Sequence, residues 1–256
     1  MPMTEHLSDK NLVDLAKQNF ENRQKNTIPS IIVPLPSNGL VYPKSSPLHS
    51  GQVEMRYMTA YDEDILTNAT YIKQGVVLDK LIKSLILNDV NLDEMIVADR
   101  DVLIIAARIH GYGNEYTVTV TDPETKSTLN RVLDLSKLEM NPFLLQADEN
   151  GEFEYRINSE TVVKFKFLNK TESNSISSEH ALSDFLKKSI KQVNETRDAF
   201  KIEQYIRYQM KPIESKQLRT YISDNMPGIK LEAEFEGENG GTFTARFQIG
   251  SDLFWV

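Results

Sequence analysis

The chain has 256 residues, a hydrophobic content of 40% and a formal net charge of −8 at pH 7. These values predict a folded protein with room for one large domain or two ordinary ones, and they argue against wholesale disorder. The sequence contains no cysteine, which excludes disulfides, a thiolate nucleophile and cysteine-ligated metal, and which fits a reducing compartment such as a cytoplasm.

An N-terminal helical arm is predicted for residues 1–30. Residues 8–23 begin with a capping serine and carry a narrow apolar stripe at Leu12, Leu15, Ala16 and Phe20. Such a helix either packs on its own domain or docks on another subunit, and both alternatives stay open. The first residues lack the apolar core of a signal peptide, and the longest apolar run, residues 102–107, is too short to cross a bilayer. No membrane partner is expected.

A proline-rich segment and a strand are predicted next. Prolines at positions 29, 34, 36 and 43 remove donors from any β-ladder, so residues 28–43 are expected to be irregular with edge-strand character. Residues 51–58 place Val53, Met55 and Tyr57 on one side, as in a half-buried strand.

Two amphipathic helices follow. Thr59 is the predicted cap of the first, and the acidic run Asp62-Glu-Asp64 fits its N-terminal dipole better than acid–base chemistry, because adjacent carboxylates on a helix point in different directions. The second is predicted at residues 76–87, where apolar positions recur at helical spacing.

A central helix is predicted at residues 100–110. Asp99 is its expected cap and Gly111 its expected stop, since glycine can adopt the positive φ that closes a helix. Apolar residues cover nearly the whole circumference and leave little beyond Asp101 and Arg108 for a polar stripe. The sequence therefore predicts that this helix lies in the middle of the core.

The rest of the chain alternates strand and helix patterns. A hairpin is predicted around residues 116–132, strands at 153–157 and 162–168, helices at 181–190, 197–210 and 215–222, and a second hairpin at 229–235 and 243–249. The two hairpins align without a gap at an offset of 115 residues, which is a weak sign of internal duplication.

The predicted fold class is α+β, with helices packed against short antiparallel hairpins and a smaller helical C-terminal region that ends in a β-hairpin. The predicted domains are a main α+β domain at residues 31–168 and a helical region with the terminal hairpin at residues 179–256. The polar residues 169–178 are the predicted linker.

No pattern in the sequence specifies chemistry. Residues Ser178, His180 and Asp184 lack a GxSxG elbow, and the glycines of Gly111-Tyr-Gly113 follow a helix, whereas phosphate-binding loops precede one. Neither an HExxH motif nor an i, i+4 pair occurs among the histidines, which are His6, His49, His110 and His180. We expect no catalytic residues, no metal, no cofactor and no small-molecule substrate.

One segment carries an excess of positive charge. Residues 186–230 hold ten Lys or Arg against five Asp or Glu. The favoured interpretation is that these cations cover solvated helix faces, so nucleic acid is not an expected partner. The alternative is a cytoplasmic adaptor or a nucleic-acid-associated α+β protein that uses this segment.

A family resemblance is carried by fragments spread over residues 31–138: Pro34-Leu-Pro-Ser-Asn-Gly39 with Tyr42 and Pro43, Gly51-Gln-Val53, Arg56-Tyr-Met-Thr-Ala60, Asp99-Arg100, Arg108-Ile-His-Gly-Tyr-Gly113 and Asp134-Leu-Ser136. Their order and spacing resemble the T4-type baseplate hub assembly proteins of contractile-tailed bacteriophages. The resemblance implies a late, non-enzymatic protein that binds other baseplate hub proteins in the host cell cytoplasm, either as an assembly chaperone or as a hub subunit that remains in the virion tail baseplate.

The resemblance also bears on metal and on partner contacts. Some family members carry cysteine pairs in such hairpins, which suggests zinc knuckles, but this chain has Asp122-Pro-Glu-Thr and Glu236-Gly-Glu-Asn there, so hydrogen bonds and packing must hold the turns. Phe254 and Trp255 are expected to insert into another hub protein, although packing in their own fold is an equal alternative. The candidate partner-binding residues are Pro34, Pro36, Tyr42, Leu253, Phe254 and Trp255.

Overall fold

The computed structural model describes residues 28–255, so the predicted helix at residues 8–23 lies outside the described residues. Within that range the fold is α+β, which confirms the predicted class: eight α-helices combine with four small antiparallel sheets. The helices are α1 (Ala60–Leu66), α2 (Ala69–Lys73), α3 (Val77–Leu85), α4 (Val97–Tyr112), α5 (Lys170–Asn174), α6 (Ala181–Ser189), α7 (Ala199–Tyr208) and α8 (Pro212–Asp224). The strands are β1 (Ser30–Pro34), β2 (Gln52–Arg56), β3 (Glu115–Thr121), β4 (Thr128–Asp134), β5 (Phe153–Arg156), β6 (Val162–Phe165), β7 (Ile190–Val193), β8 (Glu232–Glu236) and β9 (Thr242–Arg246).

Helix α4 lies at the centre of the core, as its sequence predicts. Leu103 and Ile104 are both fully buried. The predicted ends of the helix are wrong: it begins at Val97, two residues before the expected cap, and it ends at Tyr112, while Gly111 is still helical. The residue that caps its end is Gly113, whose φ is 84°. The apolar pattern correctly predicted the middle of the helix. Its C-terminal end was ambiguous, because two glycines, Gly111 and Gly113, lie close together there.

The proline-rich segment forms the edge strand that its composition predicts. Strand β1 pairs with β2 in a two-stranded antiparallel sheet, with Val33 opposite Val53. The chain then turns sharply at Gly39, which has a φ of 76° and lies so close to the backbone of His49 that a Cβ atom would be 2.4 Å from its carbonyl oxygen. Because any side chain would collide there, Gly39 is required to fold this segment back over the core.

The predicted linker at residues 169–178 contains a helix instead of irregular chain. Asn169 and Glu172 form a capping box at the start of α5, which stabilises this short helix despite its polar composition. Strands from both sides of the segment also meet in the three-stranded sheet β5–β6–β7, where Val163 pairs with Val193. Strand β7 was not predicted. The division into domains at this point stays a prediction, although the sheet crosses it.

The two hairpins lie beside each other, with contacts between β3 and β9. Their turns differ in length: Thr121 pairs with Thr128, whereas Glu236 pairs with Thr242, so the second turn is one residue shorter. The gapless alignment of the two hairpins therefore fails in the returning strand. Among the described residues no helix is long and apolar enough to span a membrane.

Burial of α4 predicts a large stability effect at its centre. We expect Leu103→Ala to lower the free energy of unfolding by about 2–5 kcal/mol, because it leaves a cavity in a close-packed core. The matched control is Leu144→Ala, since the Leu144 side chain is 80% exposed and its loss should change stability by about 0.5 kcal/mol or less. Urea denaturation followed by circular dichroism measures both. Equal losses for the two variants would contradict a core built around α4.

Candidate protein-binding site

A buried arginine holds the C-terminal end of the chain. The Arg108 side chain is 2% exposed and donates from Nε to the carbonyl oxygen of Leu253 at 2.7 Å, from Nη1 to that of Gly113 at 2.5 Å and from Nη2 to that of Glu115 at 2.9 Å. Its guanidinium also lies 5.5 Å from the ring centroid of Tyr112. Burial lowers the pKa of Arg108. Three backbone carbonyls compensate the buried cation, which was predicted to lie on the polar side of the helix.

The Arg108 contacts determine where the aromatic end of the chain lies. Leu253 and Phe254 are 1% and 2% exposed, and the Phe254 ring meets Tyr112 edge to face at 6.1 Å. Trp255, next along the chain, is 48% exposed. The expectation that Phe254 inserts into a partner is corrected by its burial, because a side chain packed in its own core has no free surface to offer. Of the three C-terminal candidates, Trp255 is the exposed one.

The candidate residues of the proline-rich segment divide in the same way. Pro34 is exposed, whereas Pro36 and Tyr42 are buried. The Tyr42 hydroxyl donates to Oδ2 of Asp99 at 2.6 Å and accepts from the backbone N–H of Ile96 at 3.2 Å. Burial and the Asp99 carboxylate raise the pKa of Tyr42. Tyr42 and Pro36 therefore act inside the fold, which leaves Pro34 as the candidate at the surface.

Asp99 has a structural role that its sequence position did not reveal. It is fully buried and accepts hydrogen bonds from the backbone N–H of Ser37 at 3.0 Å, the Ser37 hydroxyl at 2.6 Å and the Tyr42 hydroxyl. Burial raises the pKa of the Asp99 carboxyl, and the hydrogen bonds from Ser37 and Tyr42 oppose that rise. Asp99, the predicted helix cap, therefore connects α4 to the proline-rich segment by hydrogen bonds. This role is visible only from contacts between residues that are distant in sequence.

The acidic run after Thr59 contains one buried ion pair. Thr59 and Asp62 form the capping box of α1, which confirms the predicted cap. The Asp62 carboxylate also accepts from both terminal nitrogens of Arg56, at 2.8 and 2.7 Å, and from the Ser84 hydroxyl at 3.1 Å. Although burial opposes ionisation, these donors lower the pKa of Asp62 from 3.8 to about 2. The site ties β2, α1 and α3 together.

The tips of the two hairpins are joined by a carboxylate. Asp122 Oδ1 accepts from the backbone N–H groups of Glu124 and Thr125 at 2.8 and 3.2 Å, and Oδ2 accepts from that of Glu238 at 3.0 Å. Arg131 Nε adds a bond to the carbonyl oxygen of Glu236 at 2.8 Å. The backbone bonds lower the pKa of Asp122. In this cysteine-free chain, hydrogen bonds therefore hold the turns together.

Three of the residues considered for chemistry, His49, His110 and Asp184, make structural contacts, whereas His6 lies outside the described residues. Nδ1 of His49 lies 3.2 Å from the carbonyl oxygens of Gly39 and Tyr42, and the His110 ring lies 5.3 Å from that of Tyr57. Asp184 accepts from the backbone N–H of Ser177. Within residues 28–255, no group of three or more His, Cys, Asp or Glu residues could hold a metal ion.

The basic segment lies on helices α6, α7 and α8 and on strand β7. Several of its cations are paired with carboxylates of the same fold, as in the contacts of Lys187 with Glu203 at 3.0 Å and of Arg197 with Glu152 at 2.9 Å. Outside the basic segment, an open cavity of about 540 Å³ lies between β4 and β8 and is lined by both polar and apolar side chains.

Loss of the Arg108 contacts should release the C-terminal end. We expect Arg108→Met to lower the free energy of unfolding by about 3 kcal/mol, because three backbone carbonyls, one of them buried, lose a charged donor. The only tryptophan of the sequence lies in this segment, so acrylamide quenching of its fluorescence should increase in the native state. Arg246→Met is the matched control, since its side chain is 87% exposed. Unchanged quenching in Arg108→Met would show that the arginine does not hold the chain end.

The ion pair at Asp62 predicts a pH-dependent stability. Because its folded-state pKa of about 2 lies below the ordinary 3.8, the unfolded chain binds the proton more tightly, and the contribution present above pH 4 is lost as pH falls towards 2. We expect Asp62→Asn to be less stable than the parent by about 2 kcal/mol at pH 6 and to converge with it near pH 2. Urea denaturation across this range measures the difference. The exposed Asp64→Asn serves as control, and a pH-independent difference for Asp62→Asn would refute the assignment.

Comparison with known protein families identifies the family of this chain. A family model described as T4 bacteriophage base plate protein matches residues 29–255. No curated protein and no solved structure matches the chain. The match includes the proline-rich segment, helix α4, both hairpins and the exposed Trp255, so it covers most of the chain, including the C-terminal half where the sequence resemblance was loose. The chain therefore belongs to the family of T4 bacteriophage base plate proteins.

Proposed function

We propose that this baseplate protein is a non-enzymatic assembly protein of the baseplate hub, which binds other hub proteins either as a subunit or as an assembly chaperone. The family match supports a role in the baseplate and in virion assembly. The hub assignment rests on the fragment pattern at residues 31–138. A late protein that assembles hub components in the host cytoplasm and binds them through its surface fits these observations.

The single observation that carries the binding role is the exposed Trp255. It is 48% exposed, although Leu253 and Phe254 before it are buried and Arg108 holds the Leu253 carbonyl. A tryptophan fixed in this way loses little conformational freedom on binding, so more of its burial energy is available to a complex. Tryptophan is also enriched at the energetic centres of protein interfaces.

The state of the polar clusters favours binding over catalysis. The carboxylates of Asp62, Asp99 and Asp122 each accept several hydrogen bonds from the chain's own backbone and side chains. Groups engaged in this way are structural, whereas a catalytic acid or base must reach a substrate. By contrast, apolar side chains at the surface, such as Pro34 and Trp255, are free to meet a partner.

Trp255→Ala tests the proposal directly. We expect it to weaken binding to isolated baseplate components by about 2 kcal/mol, or roughly thirtyfold, while the free energy of unfolding changes little. Tyr61→Ala is the matched control, because Tyr61 is an exposed aromatic of helix α1, outside the C-terminal segment. Sedimentation or pull-down with purified baseplate intermediates measures the loss. Equal binding by both variants would show that Trp255 is not part of the interface.

Mass spectrometry of purified tails, beside a lysate of infected cells, separates the two forms of the proposal. A stoichiometric amount in particles is expected of a hub subunit, and presence only in the lysate together with hub proteins is expected of an assembly chaperone. Absence from particles and from every complex of hub proteins would refute both.

A further inference from the structure

A small basic pocket lies between helix α6, strand β7 and helix α7. Its volume is about 260 Å³, and its walls carry three cations, Lys187, Lys191 and Arg197, against the single carboxylate of Glu203. Ile190 and Ile202 are buried beneath it and give the pocket an apolar floor. The net charge of the lining is therefore positive, although the whole chain carries −8.

Arg197 is paired with Glu152 at 2.9 Å, but the internal carboxylates do not fully compensate the two lysines. Glu203 lies 3.0 Å from Lys187 but also 3.8 Å from Arg207, so one carboxylate serves two cations. Lys191 also shares its carboxylate with a second cation. Its Nζ lies 4.0 Å from Glu172, which already pairs with Lys166 at 2.7 Å.

The environment of Lys191 shows the effect of this shortage. Burial lowers its pKa first, and the neighbouring Lys166 lowers it further. An additional anion near Lys191 would therefore be favourable, because it would offset both the lost hydration and the repulsion between the lysines.

Apolar side chains lie exposed on the same two helices. Phe200 follows Ala199 of the pocket wall along α7 and is 68% exposed, and Leu182 of α6 is 57% exposed. Phe200 is outside the pocket lining, but it is one residue from Ala199 on the helix that forms one wall, so charged and aromatic groups occur on the same helix. Exposed apolar surface combined with uncompensated charge is typical of a binding site.

We propose that this pocket binds an acidic segment of a partner protein, in which a Glu or Asp carboxylate enters between Lys187 and Lys191 and an adjacent apolar residue packs on Phe200. The inference rests on the proposed protein-binding role and names the chemistry of one partner. A nucleic-acid strand fits less well, because Glu195 and Asp198, exposed beside the pocket, and Glu203 in its wall would repel a continuous phosphate backbone.

A peptide-binding experiment with the full chain tests this proposal. The probes are a fluorescein-labelled peptide of alternating Glu and Leu, the same peptide with Gln in place of Glu, and a fluorescein-labelled oligo(dT) strand, each measured by fluorescence anisotropy at 50 and 300 mM NaCl. We expect the Glu peptide to bind about tenfold more tightly than the Gln peptide at low salt, with the difference shrinking at high salt.

Matched variants locate the binding. Lys187→Glu combined with Phe200→Ser should weaken the Glu peptide about tenfold, whereas Lys73→Glu combined with Tyr61→Ser makes the same type of change on exposed residues of α2 and α1 and should leave it unchanged. Circular dichroism tests whether each variant is folded. If the double variant unfolds, Lys187→Ala alone is used in its place.

Three outcomes would overturn the pocket assignment: absence of binding by the parent, equal losses for the two double variants, or tighter binding of oligo(dT) with the same dependence on Lys187 and Phe200. The last outcome would favour the nucleic-acid alternative. The proposed hub function is tested separately by mass spectrometry of tails, so the two proposals can fail independently.

Discussion

The structure depends on burying helix α4 together with the two opposite charges at its ends. An apolar helix in the core gains from the removal of its surface from water, but Asp99 in its first turn and Arg108, four residues before its end, must then be compensated inside the protein. Nine residues of helix separate these charges by roughly 14 Å, so they cannot form an ion pair with each other. Asp99 is instead compensated by a distant segment, and Arg108 by the distant Leu253 together with Gly113 and Glu115 just beyond the helix.

The helix dipole favours this arrangement, since its N-terminal end stabilises a negative charge and its C-terminal end a positive one. Asp99 binds Ser37 and Tyr42 and so fixes the proline-rich segment, while Arg108 binds the carbonyl of Leu253 and fixes the C-terminal end. Two segments that lie far from α4 in sequence are thus held by buried polar contacts. The surface candidates Pro34 and Trp255 both belong to segments that this helix positions.

Small two-stranded sheets are only marginally stable alone, and the fold compensates by joining them. Asp122 links the tips of the β3–β4 and β8–β9 hairpins, and Asp62 links β2 to α1 and α3 through Arg56 and Ser84. In a protein of the baseplate family, such links would keep the binding surfaces in fixed relative positions. Rigid presentation matters for assembly because it reduces the entropy lost when partners associate.

The sequence by itself determined the α+β class, most helices and strands, and the central position of α4, because these follow from local periodicity and capping. It also located the helix cap at Thr59, because the cap residue and the acidic first turn that follows it are close in sequence. It did not locate β7 or α5, since a four-residue strand and a five-residue polar helix have too little pattern to be recognised.

Only the tertiary structure decided which of the candidate residues are exposed. Tyr42, Phe254 and Trp255 are all large aromatics in irregular segments, and the sequence could not separate the buried pair from the exposed tryptophan. Asp99 and Arg108 likewise looked like a cap and a solvent-facing cation, because their partners lie 57 to 62 residues away for Asp99 and 145 residues away, at Leu253, for Arg108. Burial and long-range hydrogen bonding depend on how distant segments meet, which local pattern does not encode.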